Sequence, residues 1–231
     1  MSGLSQICEN PLKKIAAGSC EAGSVSWMGI GSKDQFTSMC EACDLTIKIS
    51  KPYENLEKII DKLGHAEDQG AVAVGVDTDF VLGGKRADEP FRKEGMGIKS
   101  LHDLEEIIST VDVPFIIKGV LSVEDAQMAR KSGADAIVVS NHGGVVLDFS
   151  AHPLEVLEEI TEEVGDEMRV LVDSGFRRGT DVMKGLALGA DGVLIGIDTV
   201  VGLAAGGSEG VKEILEAVTE DLSRAMTLTG C

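Results

Sequence analysis

The sequence predicts an α/β protein built as a barrel of parallel strands wrapped by helices, and three observations predict it. Short runs rich in Val and Ile recur along the 231 residues, and buried parallel strands read this way because both of their faces are covered. Between these runs lie stretches with apolar residues at i, i+3, i+4 and i+7, several of them opened by a capping residue. The two kinds alternate strictly, giving seven strands and eight helices and starting with a helix; right-handed crossovers then place each helix outside the next strand. A complete TIM-type (β/α)8 barrel needs one more strand before Pro11, and MSGLSQICEN is a poor candidate for it. The expectation is therefore a single domain over residues 1–231 that lacks the first strand.

Asn10 and Pro11 open the first helix, with Leu12 and Ile15 on its apolar side. Ser24 to Gly29 reads as a strand, and Ser32 with Gln35 caps a second helix. On that helix Phe36, Met39, Cys40 and Cys43 share one face, so the CxxC pair is read as core packing rather than a metal or redox site completed by Cys8 and Cys20. Leu45 to Ser50 is the next strand, with Ile47 and Ile49 on one face and Thr46, Lys48 and Ser50 on the other. The aliphatic set is expected against the helices, which turns Lys48 into the lumen as a substrate contact or as the partner of a lumen carboxylate.

Leu56, Ile59, Ile60 and Leu63 mark a third helix, followed by a strand from Ala71 to Val76 that ends in Asp77 and Thr78. Residues 79–99 have neither period, and a connection of that length is a candidate lid on which Lys85 and Arg86 could close over an anion. Ser100 with Asp103 caps a helix carrying Leu104 and Ile107. Next come a strand from Pro114 to Lys118, a helix capped by Ser122 and Asp125, and a strand from Ala136 to Ser140. Leu154, Leu157 and Ile160 begin another helix, Arg169 to Val172 is a strand, and Thr180 starts a helix through Leu188. The last strand is Asp191 to Gly196, and Ser208 caps a final helix with Val211, Ile214 and Leu215 on its buried side.

A formal net charge of -18 argues against nucleic acid or an anionic membrane as partner, since both need clustered Lys and Arg. No apolar run approaches a membrane span and the N-terminus lacks a signal-peptide core, so a cytoplasmic protein is expected. Five cysteines without a secretion signal speak against a disulfide framework.

The chemistry gathers where strands end. Lys118 closes one strand, and Ser140, Asn141 and His142 close the next, residues that a buried sheet would not choose for packing. Parallel sheets place their chemistry at these carboxyl ends. Gly143 and Gly144 allow close backbone approach beside His142, and Asp148 lies near enough in sequence to orient an imidazole.

The runs IKGV, SNHGG followed by LD, and DSGFRRGTD, in that order, closely resemble the FMN-dependent α-hydroxy-acid oxidase and dehydrogenase family, which includes glycolate oxidase, lactate oxidase and mandelate dehydrogenase. The resemblance implies an FMN-dependent oxidoreductase acting on a small hydroxylated substrate, with FMN at the carboxyl ends of the strands. It implies His142 as catalytic base, Asp148 as its orienting partner and Lys118 at the flavin edge that becomes negative on reduction. Ser140, His142, Gly143, Asp173, Ser174, Gly175, Arg177, Gly196 and Gly29 would contact the cofactor, and no metal is implied.

Three departures qualify this. The arginine that the family carries three residues after its His is Val145 here, and its second carboxylate-binding arginine falls near Lys85, so the substrate is expected to be held atypically. Ile197 stands where a phosphate-binding basic residue is common. The first strand is missing, and a second copy or a partner subunit is expected to cover the gap. The alternatives are a shortened, non-catalytic or regulatory subunit of a larger assembly, and a flavin-dependent isomerase.

Overall fold

Residues 3–81 and 95–231 are described in the computed structural model. Lys85 and Arg86, and most of the candidate lid, lie outside them. Among the described residues, eight α-helices and seven strands alternate from α1 (Pro11–Glu21) and β1 (Ser26–Met28) through α2 (Lys33–Cys40), β2 (Thr46–Ser50), α3 (Leu56–Asp68) and β3 (Ala73–Asp77). The series continues with α4 (Leu101–Ile108), β4 (Phe115–Val120), α5 (Val123–Lys131), β5 (Ala136–Val139), α6 (Pro153–Val164) and β6 (Arg169–Val172). It closes with α7 (Gly179–Ala187), β7 (Gly192–Val193) and α8 (Ile197–Thr229).

All strand pairs are parallel and follow chain order from β1 to β7. The sheet curls as an open barrel, with no ladder between β7 and β1 among the described residues. Ser32 and Ser100 make reciprocal capping boxes with Gln35 and Asp103, and Ser122 accepts from Asp125 N–H. Each satisfies backbone donors that a helix start leaves open. Asn10 sits before α1 in a left-handed conformation without a side-chain cap. The helix starts there because Pro11 presets its first turn.

Two apolar layers hold the sheet. Alternate strand residues, among them Val74, Phe115, Ile117, Ile137 and Val172, pack outward on Phe36, Met39, Leu63, Ile107, Leu157 and Ile160 of the helices. The opposite parity, Ile47, Ile49, Ala73, Ile116, Ala136 and Val138 with Trp27 and Leu171, fills the lumen. This corrects the expected facing of β2: the isoleucines point inward, and Lys48, paired with Met28 and Val74, lies on the helix side. Both faces of a parallel strand are buried, so alternation alone does not distinguish inside from outside. Cys43 is buried in the outer layer and Cys40 packs against it, as the shared face implied.

The C-terminal end differs from the expected pattern. β7 is only two residues long, and helix begins at Ile197, before Ser208. Gly206 and Gly207 break α8 with φ of -146° and 64°, and across the break Gly202 packs directly on Gly210. No helix among the described residues is long and apolar enough to cross a membrane.

Candidate active site

Six of the anticipated residues meet at the carboxyl ends of β4, β5 and β6. Lys118 Nζ pairs with Asp173 Oδ2 at 2.8 Å and donates to Ser140 Oγ at 2.7 Å. The backbone N–H of His142 donates to the same Ser140 oxygen at 3.1 Å, and His142 itself takes a φ of 56°. Ser174 Oγ accepts from Gly143 N–H at 3.0 Å and donates to Asp173 Oδ1 at 2.8 Å. One hydrogen-bonded chain thus joins the β5 loop to the β6 turn. Burial pushes the Lys118 ammonium down, but Asp173, Asp77 and Asp79 outweigh it and hold its pKa above the ordinary lysine value.

The carboxylate against His142 comes from the end of β3. Asp79 places its oxygens 3.1 and 3.2 Å from Nδ1, and Asp77 Oδ1 stands 3.8 Å away. Asp148, the expected orienter, lies on the exposed loop after β5. A bulge positions Asp79: the β4 register shifts between Lys118 and Val120, and Gly119 at φ 101° passes against Asp79. A Cβ there would stand 2.7 Å from Asp79 Cβ, so the close approach requires glycine.

Besides Asp77 and Asp79, two further residues outside the anticipated set complete the cluster. Lys51, just beyond β2, donates to Asp77 Oδ2 at 2.6 Å and lies 3.9 Å over the Phe80 ring. Phe80 in turn packs on the His142 ring at 5.0 Å between centroids. Burial raises the Asp77 carboxyl, and Lys51, Lys118 and His142 together overcome it, leaving the group below the usual carboxylate range. Asp77 Oδ1 is buried without a hydrogen-bond partner among the described residues. Atoms of Asp77, Asp79 and His142 lie within 4.8 Å of one another, a donor set that suits a cation. Two ammonium groups already face Asp77, so its charge is balanced within an ion-pair network.

Lys48 is elsewhere. It is 4% exposed, donates to Gly29 C=O at 3.1 Å, and has its pKa pushed down to about 7 by burial and then by Lys62 and Lys51. Arg177 is also engaged: its guanidinium makes contacts of 2.8 to 3.3 Å with Asp198 in the first turn of α8. A Cβ built on Gly29, Gly143, Gly144 or Gly196 meets nothing within 4 Å, so these glycines border open space at the strand ends. Open ground beside a buried cation and an unmatched buried oxygen fits the polar edge of a flat heteroaromatic cofactor. At the other end, the Nε and Nη2 edge of the Arg177 guanidinium is taken by Asp198, and an anion reaches that edge by releasing it.

Residues 88–231 match the family described as FMN-dependent dehydrogenase. A peroxisomal (S)-2-hydroxyacid oxidase of Arabidopsis thaliana is 46% identical over 132 residues, which is 57% of this chain and 36% of that protein. A 4-hydroxymandelate oxidase of Amycolatopsis orientalis is 46% identical over 128 residues, 55% of this chain and 36% of that protein. The matched part is thus about a third of each curated relative's length. A solved mandelate oxidase with benzoyl-formic acid superposes with a TM-score of 0.85 at 31% identity, covering 95% of this chain and 69% of that one. Another mandelate oxidase structure, of a variant with an FMN monooxide adduct, superposes with a TM-score of 0.82 at 32% identity, covering 95% of this chain and 70% of that one.

Proposed function

The chain belongs to the FMN-dependent dehydrogenase family, and from that premise we propose that it binds FMN over the carboxyl ends of its strands and oxidises a small hydroxy acid there. The observation that carries this reading is the Lys118, Ser140, Asp173 and His142 cluster with Asp79 against the imidazole. FMN, when bound, supplies the hydride acceptor. Lys118, Ser140, Ser174, Gly175, Gly29 and Gly196 would border it, with Arg177 toward its phosphate.

His142 takes the hydroxyl proton of the substrate. With Nδ1 facing Asp79 at 3.1 Å, an Nδ1–H donated to that carboxylate leaves the Nε2 lone pair free to act as base. Asp79 and Asp77 then hold the imidazolium that forms, and Phe80 keeps the ring in place. Asp148 is proposed as a further carboxylate on the same loop. Lys118 provides fixed positive charge where negative charge accumulates, and its contacts to Ser140 and Asp173 keep it from moving when that charge appears.

The relatives named for 2-hydroxy acids, 4-hydroxymandelate and lactate support a hydroxy acid as the substrate class. Val145 cannot grip its carboxylate, which leaves that task to point charges, with Lys85 the candidate. The test is anaerobic mixing of the FMN-loaded protein with a panel of 2-hydroxy acids. Bleaching of the flavin band by one of them, lost in His142→Asn without loss of colour, is the expected result; no bleaching by any would sink the catalytic reading.

A second reading, a partner-dependent barrel without activity of its own, is favoured by the edges of β1 and β7, which no described strand pairs. In both readings a second copy or another subunit covers that gap. Sedimentation of the purified chain as a monomer that still reacts would count against it.

A further inference from the structure

The loops after the last two strands carry the donors of an anion site, and carboxylates of the same chain already use them. After β6, Ser174 and Gly175 turn with φ of 76° and 90°, and Arg177 and Arg178 lead into α7. The backbone N–H groups of Arg177 and Arg178 both donate to Asp181 Oδ2, at 3.2 and 3.1 Å. The Arg177 guanidinium donates through Nε and Nη2 to Asp198 at 3.0 and 2.8 Å. Asp198 is well placed to compete, because it lies in the first turn of α8, where the helix dipole favours negative charge. A phosphate at this end of an α/β barrel seeks the same donors and the same helix start.

We propose that Asp198 is an internal competitor for the FMN phosphate, so that the phosphate docks by displacing Asp198 from Arg177. This rests on the flavin reading above. The two partners differ in freedom: the Arg177 side chain is 61% exposed and that of Asp198 15%. Arginine therefore swings to the phosphate while the carboxylate stays anchored and repels it. The neighbouring Ile197 brings no charge to offset that repulsion, and the chain as a whole carries -18. The tail subsite consequently gives FMN less advantage over riboflavin, which has the same ring and no phosphate, than Arg177 alone would provide.

The experiment is a fluorescence-quenching titration of the intact protein with FMN and, separately, with riboflavin. Asp198→Asn is expected to tighten FMN by about tenfold and to leave riboflavin within about twofold, because only a charged tail meets the removed charge. In an Arg177→Gln background the same substitution is expected to tighten FMN less, since only the relief of charge repulsion remains once the contested cation is gone. Asp198→Ser, which keeps a hydroxyl at the start of α8, is the second variant should the amide disturb the helix. Equal tightening of both flavins, or no gain for FMN in the variants, would overturn the competition while leaving the flavin reading intact. Failure of both flavins to bind every form would overturn both together.

Discussion

Lys51 Nζ and Asp77 Oδ2 lie 2.6 Å apart with both side chains only 3% exposed, and this pair anchors the carboxylates that face His142. Asp77 needs the cation because it is buried and its other oxygen has no hydrogen-bond partner among the described residues. Lys51→Met is expected to cost about 3 to 5 kcal/mol, the range for stranding one member of a buried ion pair. Urea unfolding measures it; a loss below about 1 kcal/mol would mean that Lys118 compensates Asp77 unaided.

Lys48 gives the opposite sign. Its folded-state pKa of about 7 lies below the 10.5 of the free side chain. The unfolded chain binds more protons across that window, so stability rises as pH climbs from about 7 towards 10.5, and the full penalty of the buried cation is present below 7. Lys48→Met is expected to stabilise the protein by up to the order of 4 kcal/mol at pH 6, with the gain shrinking as the pH rises. Thermal melts of the two proteins across pH give the slope, and a gain independent of pH would contradict the burial argument.

Gly119→Ala places a methyl group 2.7 Å from Asp79 Cβ and Cγ at a backbone φ of 101°. Its expected cost is about 2 kcal/mol in unfolding, from the strained backbone alone. The expected second effect is specific to the site: Asp79 shifts, and the His142 ring resonances move in the proton NMR spectrum while those of His65 and His102, on α3 and α4, do not. Unchanged His142 resonances would show that Asp79 tolerates the methyl.

Val145 is 47% exposed on the loop after β5, three residues beyond His142. Under the proposed function, Val145→Arg supplies a forked donor for a substrate carboxylate and lowers KM for simple 2-hydroxy acids by about tenfold or more. Steady-state kinetics on a short and a bulky hydroxy acid would check it. A rise in KM would mean that this side chain does not face the substrate.

The order of strands and helices was legible partly because several helix starts carry their own chemistry: Ser32, Ser100 and Ser122 cap as their spacing implies. Lys118, Ser140 and His142 were legible as a candidate site because polar residues ending buried strands have few other uses, whereas Asp173 was implied only by the family resemblance. The facing of β2 was not, since Lys48 and Ile49 are equally buried and periodicity carries no label for the lumen. Asp79 escaped notice because it is 63 positions from His142 and reaches it only through the bulge at Gly119. The best available signal was the pair of acids, Asp77 and Asp79, just past a strand. Lys51 resembled any lysine leaving a strand, and the Arg177–Asp198 pair depends on a helix start at Ile197 that the glycines before Ser208 concealed.

The most direct measurement is the visible spectrum of the purified chain during titration with FMN, beside Lys118→Met. A saturable shift of the flavin bands, weakened by about tenfold or more in the variant, is the expected result for a cofactor seated against that cation. A spectrum identical to free FMN at every protein concentration would contradict a flavin site at these strand ends.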